Sequence, residues 1–239
     1  IESELDRCGV VAHTTLAAVS PLFFPALPRH IFTYELRNSG RVVWGDPQVL
    51  GLVPLFESTD LSREDAWRLL SNRMIEQMEA TPETLVYSSV KFCLDLATSL
   101  LVFASAYEPT YRARAARLAQ LAAAPSPGLH LPFPIAPFSR LVHACTEWKL
   151  GDSQQILPEG TNFHKRLVGY AHLLWRWELQ ALTKTAGDVP DIELFRRWRR
   201  MQPLSSRLRG WLFVLRKSGW MRSAAAWPRW IGLALRASP

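Results

Sequence analysis

The feature that most constrains the fold is the run from Glu83 to Tyr107, which contains neither proline nor glycine. It follows Thr81 and Pro82, a helix N-cap residue and a proline suited to the first helical position. We therefore predict a helix that begins at Pro82 and continues to about Tyr107. A capping-box pattern just before it, followed by apolar residues at helical spacing, predicts another helix over 63–79.

Helices dominate the rest of the pattern. We predict them at 111–123, 138–149 and 161–185, and no sustained alternation of apolar and polar residues indicates a sheet. The exception is Arg41–Trp44, a β-branched run that follows the helix stop signal Ser39-Gly40. The sequence thus predicts a mainly α fold. It is a helical bundle preceded by one short β segment at about 41–44, with short basic helices at the C-terminus.

A single short strand has no partner for its backbone hydrogen bonds. The chain also begins at Ile1 and not at a methionine. We therefore expect the partner strand to lie upstream of Ile1, and we interpret residues 1–50 as the junction to a missing N-terminal domain. We expect 51–186 to form the helical bundle and 187–239 to form a basic, tryptophan-rich appendage.

The net charge of +7 belongs to the C-terminal tail, because residues 191–239 carry +9 and residues 1–190 carry −2. In this tail arginines alternate with tryptophans, and the candidate surface residues are Arg196, Arg197, Arg199, Arg200, Arg207, Arg209, Trp211, Arg216, Lys217, Trp227 and Trp230. Basic amphipathic helices with tryptophan suit an anionic membrane surface. Arginine with stacking tryptophan also suits nucleic acid. The third alternative is that the tryptophans pack on the bundle and the arginines stay solvated.

Three widely spaced cysteines, Cys8, Cys93 and Cys145, form no metal-type pair. Cys8 and Cys93 fall at apolar helical positions, which favours reduced thiols in the core. Such cysteine usage is typical of a cytoplasmic protein, and the basic tail offers it a route to the membrane periphery.

Lys91 and Asp95 lie four residues apart within an apolar helical stretch, where unpaired charges would cost several kcal/mol. One interpretation is an ion pair that Arg73 and Glu76 of the preceding helix join. The other is a functional lysine that holds a substrate phosphate, with Ser88 one turn away adding a hydroxyl. The sequence leaves both open.

No strong catalytic motif is present. A phosphate-binding glycine loop, a nucleophile elbow and a dinucleotide fingerprint are all missing, and so is a Gly-Ser followed by paired aspartates. His143 and Glu147 have metal-ligand spacing, but two ligands do not make a metal site. No metal ligand is therefore assigned.

The junction nevertheless resembles a known family. Tyr34 to Pro47, Tyr-Glu-Leu-Arg-Asn-Ser-Gly-Arg-Val-Val-Trp-Gly-Asp-Pro, is similar to the segment that follows the catalytic sheet in DNA polymerase β-like nucleotidyltransferases. Residues 69–73, 91–103 and 107–114 are similar to the helical half of bacterial members. The resemblance covers about 30–125 and implies the C-terminal, substrate-side helical region of a longer enzyme.

The resemblance also implies what this chain lacks. Family catalysis requires Mg²⁺ and a nucleoside triphosphate held by the Gly-Ser and Asp-x-Asp motifs, so we expect this chain alone to be inactive. Glu35 and Asp46 would lie near the active site, and the resemblance adds weight to Lys91 and Ser88. The candidate nucleotide- or substrate-binding residues are therefore Lys91, Ser88, Asp95, Glu35 and Asp46. The alternative is a noncatalytic helical module whose basic tail binds anionic membrane or nucleic acid.

Overall fold

The computed structural model describes residues 19–78, 80–81, 83–124, 130–151, 160–206 and 208 of the 239-residue chain. The α-helices that it places are α1 (Ile31–Ser39), α2 (Arg63–Met78), α3 (Leu85–Phe103), α4 (Tyr111–Ala123), α5 (Ile135–Leu150), α6 (Gly160–Thr183) and α7 (Asp191–Met201). Short 3-10 helices at Pro21–Ala26, Val49–Leu52 and Ser58–Asp60 flank α1. The sequence pattern at 2–19 also favours a helix, but apart from its last position this segment lies outside the described residues.

The mainly α fold is confirmed, but the predicted β segment is not found. The described part of the chain contains no strand, and Arg41–Trp44 is a loop that bends from Val43 to Gly45. The side chains of Val43 and Trp44 are 96% and 93% exposed. A β-branched run becomes a strand only where a second strand satisfies its backbone groups, and the described residues offer none. A partner upstream of Ile1 stays a prediction.

The end of α1 is fixed by a close approach that only glycine permits. The Gly40 N–H donates to the Leu36 carbonyl at 3.1 Å. A Cβ added at Gly40 would lie 2.3 Å from that same oxygen and 3.1 Å from Leu50 Cδ1. Arg37 Nη1 donates to the Leu50 carbonyl at 2.6 Å, which ties the 3-10 helix at Val49–Leu52 to α1. The predicted stop at Ser39-Gly40 is therefore confirmed.

Helix starts follow local capping. α2 starts at Arg63, close to the prediction, and the Ser62 hydroxyl accepts the Asp65 N–H at 3.4 Å. α4 has the predicted bounds, with Thr110 Oγ1 accepting the Ala113 N–H at 3.2 Å. Capping residues thus locate both helices correctly from sequence.

α3 starts three residues later than predicted, at Leu85, because Thr84 occupies the N-cap position that the sequence pattern assigns to Thr81. The Thr84 hydroxyl accepts the N–H of Thr81 at 3.0 Å, which closes a turn before the helix. At the other end α3 stops at Phe103, and Ser105 adopts a left-handed backbone with φ of 52°. The helix thus starts after this turn, and the Thr84 side chain itself makes no capping hydrogen bond to α3.

α3 is the central helix of the bundle. It packs against α2, α4 and α5, and α4 packs against α5. Val90, Phe92, Leu96 and Leu100 of α3 are all at most 1% exposed. Because α3 is covered on nearly all sides, its apolar composition does not need a polar outer face.

Aromatic side chains connect α5 with the first part of α6. The Phe133 ring lies 5.2 Å from that of Phe138 and 4.7 Å from that of Tyr170. α5 starts at Ile135, earlier than predicted, and Pro137 sits in its first turn, where a missing N–H leaves no bond unmade. Phe133 belongs to the proline-rich segment before α5, so at least this residue of the segment packs on the helices.

Cys93 of α3 and Cys145 of α5 are both free and buried, which confirms the predicted core position of Cys93. Burial raises the pKa of the Cys93 thiol well above its ordinary value, and the neighbouring Cys145 adds to that rise. Cys8 lies outside the described residues.

The chain divides into two compact units, Ile1–Glu178 and Leu179–Pro239, and the division falls inside α6. In the second unit, α6 ends at Thr183 and Gly187 has a φ of 84°, so the predicted break before α7 is confirmed. Arg197 of α7 donates to Thr185 Oγ1 at 3.4 Å, which attaches α7 to the turn that precedes it.

Within the described residues, α3 alone is long and apolar enough to cross a bilayer by length and composition. About two thirds of its apolar window, 67%, is buried inside the bundle. The core helix of a soluble protein would pass the same test, so α3 is weak grounds for a membrane span.

Candidate functional site

Glu35 of α1 is held by two residues that follow α3. Arg114 Nη2 of α4 lies 3.0 Å from Glu35 Oε1. The Tyr107 hydroxyl donates to the same oxygen in a short hydrogen bond. Burial, together with the negative charge of Glu35, raises the pKa of Tyr107 far above its usual value, so the phenol keeps its proton and acts as a donor. These contacts fix α1 against the bundle.

Arg114 has polar or aromatic contacts on all sides of its guanidinium group. Its Nη1 donates to Thr98 Oγ1 of α3 at 2.6 Å, and its Nε donates to the Thr110 carbonyl at 3.4 Å. The guanidinium carbon lies 4.6 Å from the ring centroid of Tyr111 and 5.3 Å from that of Tyr107. Hydrogen bonds in the plane and aromatic rings on the faces are the contacts that a buried guanidinium requires. Arg114 is thus a structural centre that joins α1, α3 and α4.

A second charged cluster lies between α2 and α3. Arg73 Nε lies 2.6 Å from Asp95 Oδ2, and the Arg73 guanidinium also pairs with Glu76. The Arg73–Asp95 contact is an ion pair without hydrogen-bond alignment, since neither atom has a hydrogen-bond partner among the described residues. Burial raises the pKa of Asp95, and the positive charges of Arg73, Lys91 and Arg114 oppose that rise. Arg73 therefore joins Asp95 and Glu76 as predicted, but no ion pair between Lys91 and Asp95 is found among the described residues, and Lys91 acts on Asp95 only through its charge.

The start of α1 is capped from α2. Asp65 Oδ2 accepts the Ile31 N–H at 3.1 Å, and Asp65 Oδ1 lies 3.0 Å from His30 Nδ1. A carboxylate at a helix N-terminus is favoured by the helix dipole and satisfies one of the free N–H groups. Asp65 is thus a third carboxylate, besides Glu35 and Asp95, near the side of α1 that faces α2.

Two open, shallow clefts meet at Glu35 and Arg114. The first, of about 440 Å³, lies between α1, α2, α3 and α4, and its polar lining consists of His30, Glu35, Asp65, Arg68, Asn72, Asp95, Thr98, Tyr111 and Arg114. The second, of about 560 Å³, has Phe32, Glu35, Tyr111 and Arg114 in common with the first and extends to Ser39, Gly40, Arg112 and Leu150. We call them the acidic cleft and the adjacent cleft. Small molecules typically bind in concave sites with a few convergent polar groups, so these clefts are the candidate site.

The predicted site residues have different places in the structure. Glu35 and Asp95 both line the acidic cleft, and Lys91 lies close enough to Asp95 to lower its pKa. The Ser88 hydroxyl donates to the Leu85 carbonyl of its own helix at 3.1 Å. Asp46 is exposed in a turn, where its Oδ1 accepts the Gln48 N–H at 2.9 Å. Ser88 and Asp46 do not line either cleft.

Of the tail candidates, Arg196, Arg197, Arg199 and Arg200 lie on α7 and are exposed. The remaining tail candidates lie outside the described residues: Arg207, Arg209, Trp211, Arg216, Lys217, Trp227 and Trp230. Only the α7 arginines can therefore be placed in a surface.

Sequence reasoning missed Arg114, Tyr107 and Tyr111. One signal could have identified Arg114, because it shares a helical face with Leu118 and Leu121, both buried. A charge on the apolar face of a helix requires a buried partner. The partner itself, Glu35, is far away in sequence, and helical periodicity carries no information about it.

Two further buried polar pairs lie outside the clefts. Ser99 Oγ of α3 donates to Glu178 Oε1 of α6 at 2.7 Å, and burial raises the pKa of Glu178 well above its ordinary value. Burial therefore favours the protonated, neutral form of the Glu178 carboxyl group. Ser89 Oγ and His164 Nδ1 are 3.2 Å apart, a nucleophile-to-base distance. Ser89 is only 1% exposed, so a substrate could not reach it.

The carboxylates of the acidic cleft do not fit a magnesium site. Glu35 is engaged by Arg114 and Tyr107, Asp65 by the start of α1, and Asp95 by Arg73. No group of three or more His, Cys, Asp or Glu side chains is placed to hold a metal ion among the residues that the structure describes. Hard cations need several oxygen ligands that are not neutralised by arginine.

Comparisons with protein-family models, with curated proteins and with solved structures give no match to this chain. Function is therefore argued from the motifs and from the geometry of the clefts.

Proposed function

We propose that this chain is the substrate-side helical region of a nucleotidyltransferase-like protein, which in a longer form transfers a nucleotide from a nucleoside triphosphate to an acceptor. The single observation that carries the proposal is the ion pair between Glu35 and Arg114. It joins two of the four segments on which the resemblance rests, the one that begins at Tyr34 and the one that runs from Tyr107 to Arg114. Segments that act together in one site are expected to meet in the fold, and these meet at a cleft.

In this proposal the acceptor substrate, to which the nucleotide is transferred, binds in the acidic cleft and the adjacent cleft. Arg114 and Tyr107 act as positioning residues, because their polar groups are already engaged with Glu35 and Thr98. Glu35 directs one oxygen, Oε1, to both partners, and its side chain is 35% exposed toward solvent. The second carboxylate oxygen of Glu35 can therefore accept a hydrogen bond from a hydroxyl or amine group of the acceptor substrate.

The nucleoside triphosphate and Mg²⁺ would be held by the Gly-Ser and Asp-x-Asp portion that we expect upstream of Ile1. Lys91 stays the candidate in this chain for a triphosphate contact, although its position beside Asp95 equally fits an electrostatic role in the fold. Ser88 and Asp46 contribute less to the proposal, since their side chains serve local turns. On this proposal the chain alone does not transfer nucleotides, and the enzyme is cytoplasmic.

The decisive test is the coding sequence upstream of Ile1. A domain of roughly 100 residues with a Gly-Ser and an Asp-x-Asp motif is expected there. If a natural start codon or an unrelated sequence stands there instead, the enzyme proposal is wrong. If the motifs are present, the longer protein should incorporate a labelled nucleoside monophosphate into an acceptor, and Glu35→Gln should lower that activity while Glu108→Gln, a half-buried glutamate outside both clefts, leaves it unchanged.

A second candidate function is a noncatalytic binding module whose basic C-terminal region attaches to anionic membrane or nucleic acid. The observation that favours it is the exposure of the four α7 arginines beside exposed apolar side chains of the same helix. This function does not require a catalytic domain, and it would place the protein at a membrane periphery or on a nucleic acid.

A further inference from the structure

The outward surface of α7 carries three arginines that the fold does not use. Arg196, Arg199 and Arg200 have positions i, i+3 and i+4 and so lie on one face of the helix. Their guanidinium groups have no hydrogen bond or ion pair with any residue that the structure describes. The nearby acid Glu193 is engaged by Arg197 at 3.2 Å. Three positive charges are thus left for a partner outside the described chain.

Aliphatic side chains lie beside these charges. Ile192 is 58% exposed and precedes Arg196 by one helical turn. Met201, at the end of α7, and Leu204 and Leu208, just beyond it, are likewise exposed. Leu194, on the other side of α7, is fully buried. The helix therefore has one face committed to the fold and a second face on which arginine and exposed apolar side chains occur together.

We propose that α7 and the residues up to Leu208 lie on an anionic lipid bilayer, with the arginines on headgroup phosphates and the aliphatic side chains at the acyl boundary. This deepens the second candidate function and is independent of the nucleotide-transfer proposal. Helices that lie in a membrane interface combine a strongly basic face with an apolar one and are polar over much of their length, as α7 is. The negative potential of a phosphatidylserine-containing leaflet attracts each arginine.

The exposed residues favour lipid over nucleic acid. Binding to single strands places aromatic rings against bases, beside arginines on the phosphates. On α7, however, the Phe195 ring lies 5.5 Å from that of Trp198 and packs on it. Phe195 is 37% exposed, whereas the more exposed apolar side chains near the arginines, Ile192, Met201, Leu204 and Leu208, are not aromatic and cannot stack on a base. They can remove apolar area from water only against an apolar partner such as acyl chains.

The test is co-sedimentation of the full chain with vesicles of phosphatidylcholine alone and of phosphatidylcholine with phosphatidylserine. We expect binding only to the anionic vesicles, weakening as salt increases. The triple variant Arg196→Gln, Arg199→Gln, Arg200→Gln should bind more weakly, at about fivefold per arginine and on the order of a hundredfold together. The matched control, Arg140→Gln, Lys165→Gln, Arg166→Gln, removes three exposed charges from the first unit and should bind as the original chain does.

A second variant separates lipid from nucleic acid. Ile192→Ser with Leu204→Ser should weaken vesicle binding at unchanged net charge, whereas electrostatic binding to single-stranded RNA would not change. Binding to RNA but not to anionic vesicles would overturn this inference and leave the second candidate function standing. If the full chain binds neither, both fail. Equal vesicle binding by the arginine variant and its control would also overturn the role of α7.

Discussion

The arginines of the two units have opposite surroundings. Arg73 and Arg114 of the first unit are 11% and 7% exposed, and both pair with carboxylates of other helices or turns. Arg196, Arg199 and Arg200 of the second unit are exposed, and the described residues give their side chains no partner. The arginines of the first unit neutralise carboxylates within the fold. Those of the second unit are exposed to solvent and can bind a partner. Arginine side chains therefore stabilise the fold in the first unit, whereas in the second unit they are available to bind a partner.

This difference separates the two proposals physically. A buried guanidinium with its donors engaged cannot easily turn to a ligand without leaving a carboxylate unpaired. An exposed one loses little when it binds a phosphate, since it was only hydrated before. Substitutions in the first set should thus change the free energy of unfolding, and those in the second set should change affinity.

The largest effect is expected for Arg114→Met. It removes the ion pair with Glu35, the hydrogen bond to Thr98 and both aromatic contacts. Because Glu35 is partly exposed and can be rehydrated, we expect a loss of about 3 kcal/mol in the free energy of unfolding, at the lower end for a broken buried pair. Urea unfolding followed by tryptophan fluorescence measures it. Arg112→Met, an exposed neighbour, serves as the control and should lose less than about 0.5 kcal/mol. Equal losses would contradict the central role of Arg114.

Local features of the first unit were predictable from sequence. Thr110 marks the start of α4, and Ser39-Gly40 marks the end of α1, because capping and stop signals act within a few residues. The association of Asp95 with Arg73 also followed, since α2 and α3 are adjacent in the chain and a charge in an apolar helix needs a partner.

Tertiary features were not predictable in the same way. The pairing of Glu35 with Arg114 depends on how α1 docks on α3 and α4, and local periodicity does not encode that. Arg41–Trp44 has the propensity of a strand, but propensity yields to the absence of a pairing strand in the described chain. For the same reason the sequence did not show that Glu35 and Asp95 line one cleft while Asp46 lies in an exposed turn.

A smaller, pH-dependent effect is expected at Glu178, a fully buried acid whose pKa no described cation lowers. Its folded-state pKa is raised well above its ordinary value, so between about pH 4.3 and that raised pKa the folded chain keeps a proton that the unfolded chain releases. The free energy of unfolding therefore falls as pH rises, by up to about 1.4 kcal/mol per pH unit. The glutamine side chain in Glu178→Gln resembles the neutral form of the acid and cannot ionise. The variant therefore does not lose this stability as pH rises.

We expect the variant and the original chain to have similar stability near pH 5 and the variant to become the more stable one toward pH 8. Urea unfolding at several pH values measures the difference. Glu108→Gln provides the control at a half-buried glutamate for which no such divergence is expected. Burial also raises the pKa of Asp95, so the free energy of unfolding of the Glu178→Gln variant will still depend on pH to some extent. Parallel stability curves would show that Glu178 ionises within the fold.

A modest effect is expected for Lys91→Met. Lys91 lowers the pKa of Asp95 less than Arg73 does, and Arg73 stays in the variant. The free energy of unfolding should therefore fall by less than about 1 kcal/mol, the range of a partly solvated pair. Arg73→Met, which removes the principal partner of Asp95, should cost clearly more. If Lys91→Met is as costly as Arg73→Met, Lys91 belongs with the arginines that stabilise the fold.

The smallest effect on the free energy of unfolding is expected for substitutions of the exposed α7 arginines. The triple variant Arg196→Gln, Arg199→Gln, Arg200→Gln should unfold in urea within about 0.5 kcal/mol of the original chain, because no described residue depends on these three side chains. Arg197→Gln is the informative neighbour, since Arg197 contacts both Glu193 and Thr185 and should cost more although it too is exposed. A triple variant that loses stability as Arg114→Met does would place the α7 arginines in the fold, and their charge could no longer be assigned to a partner.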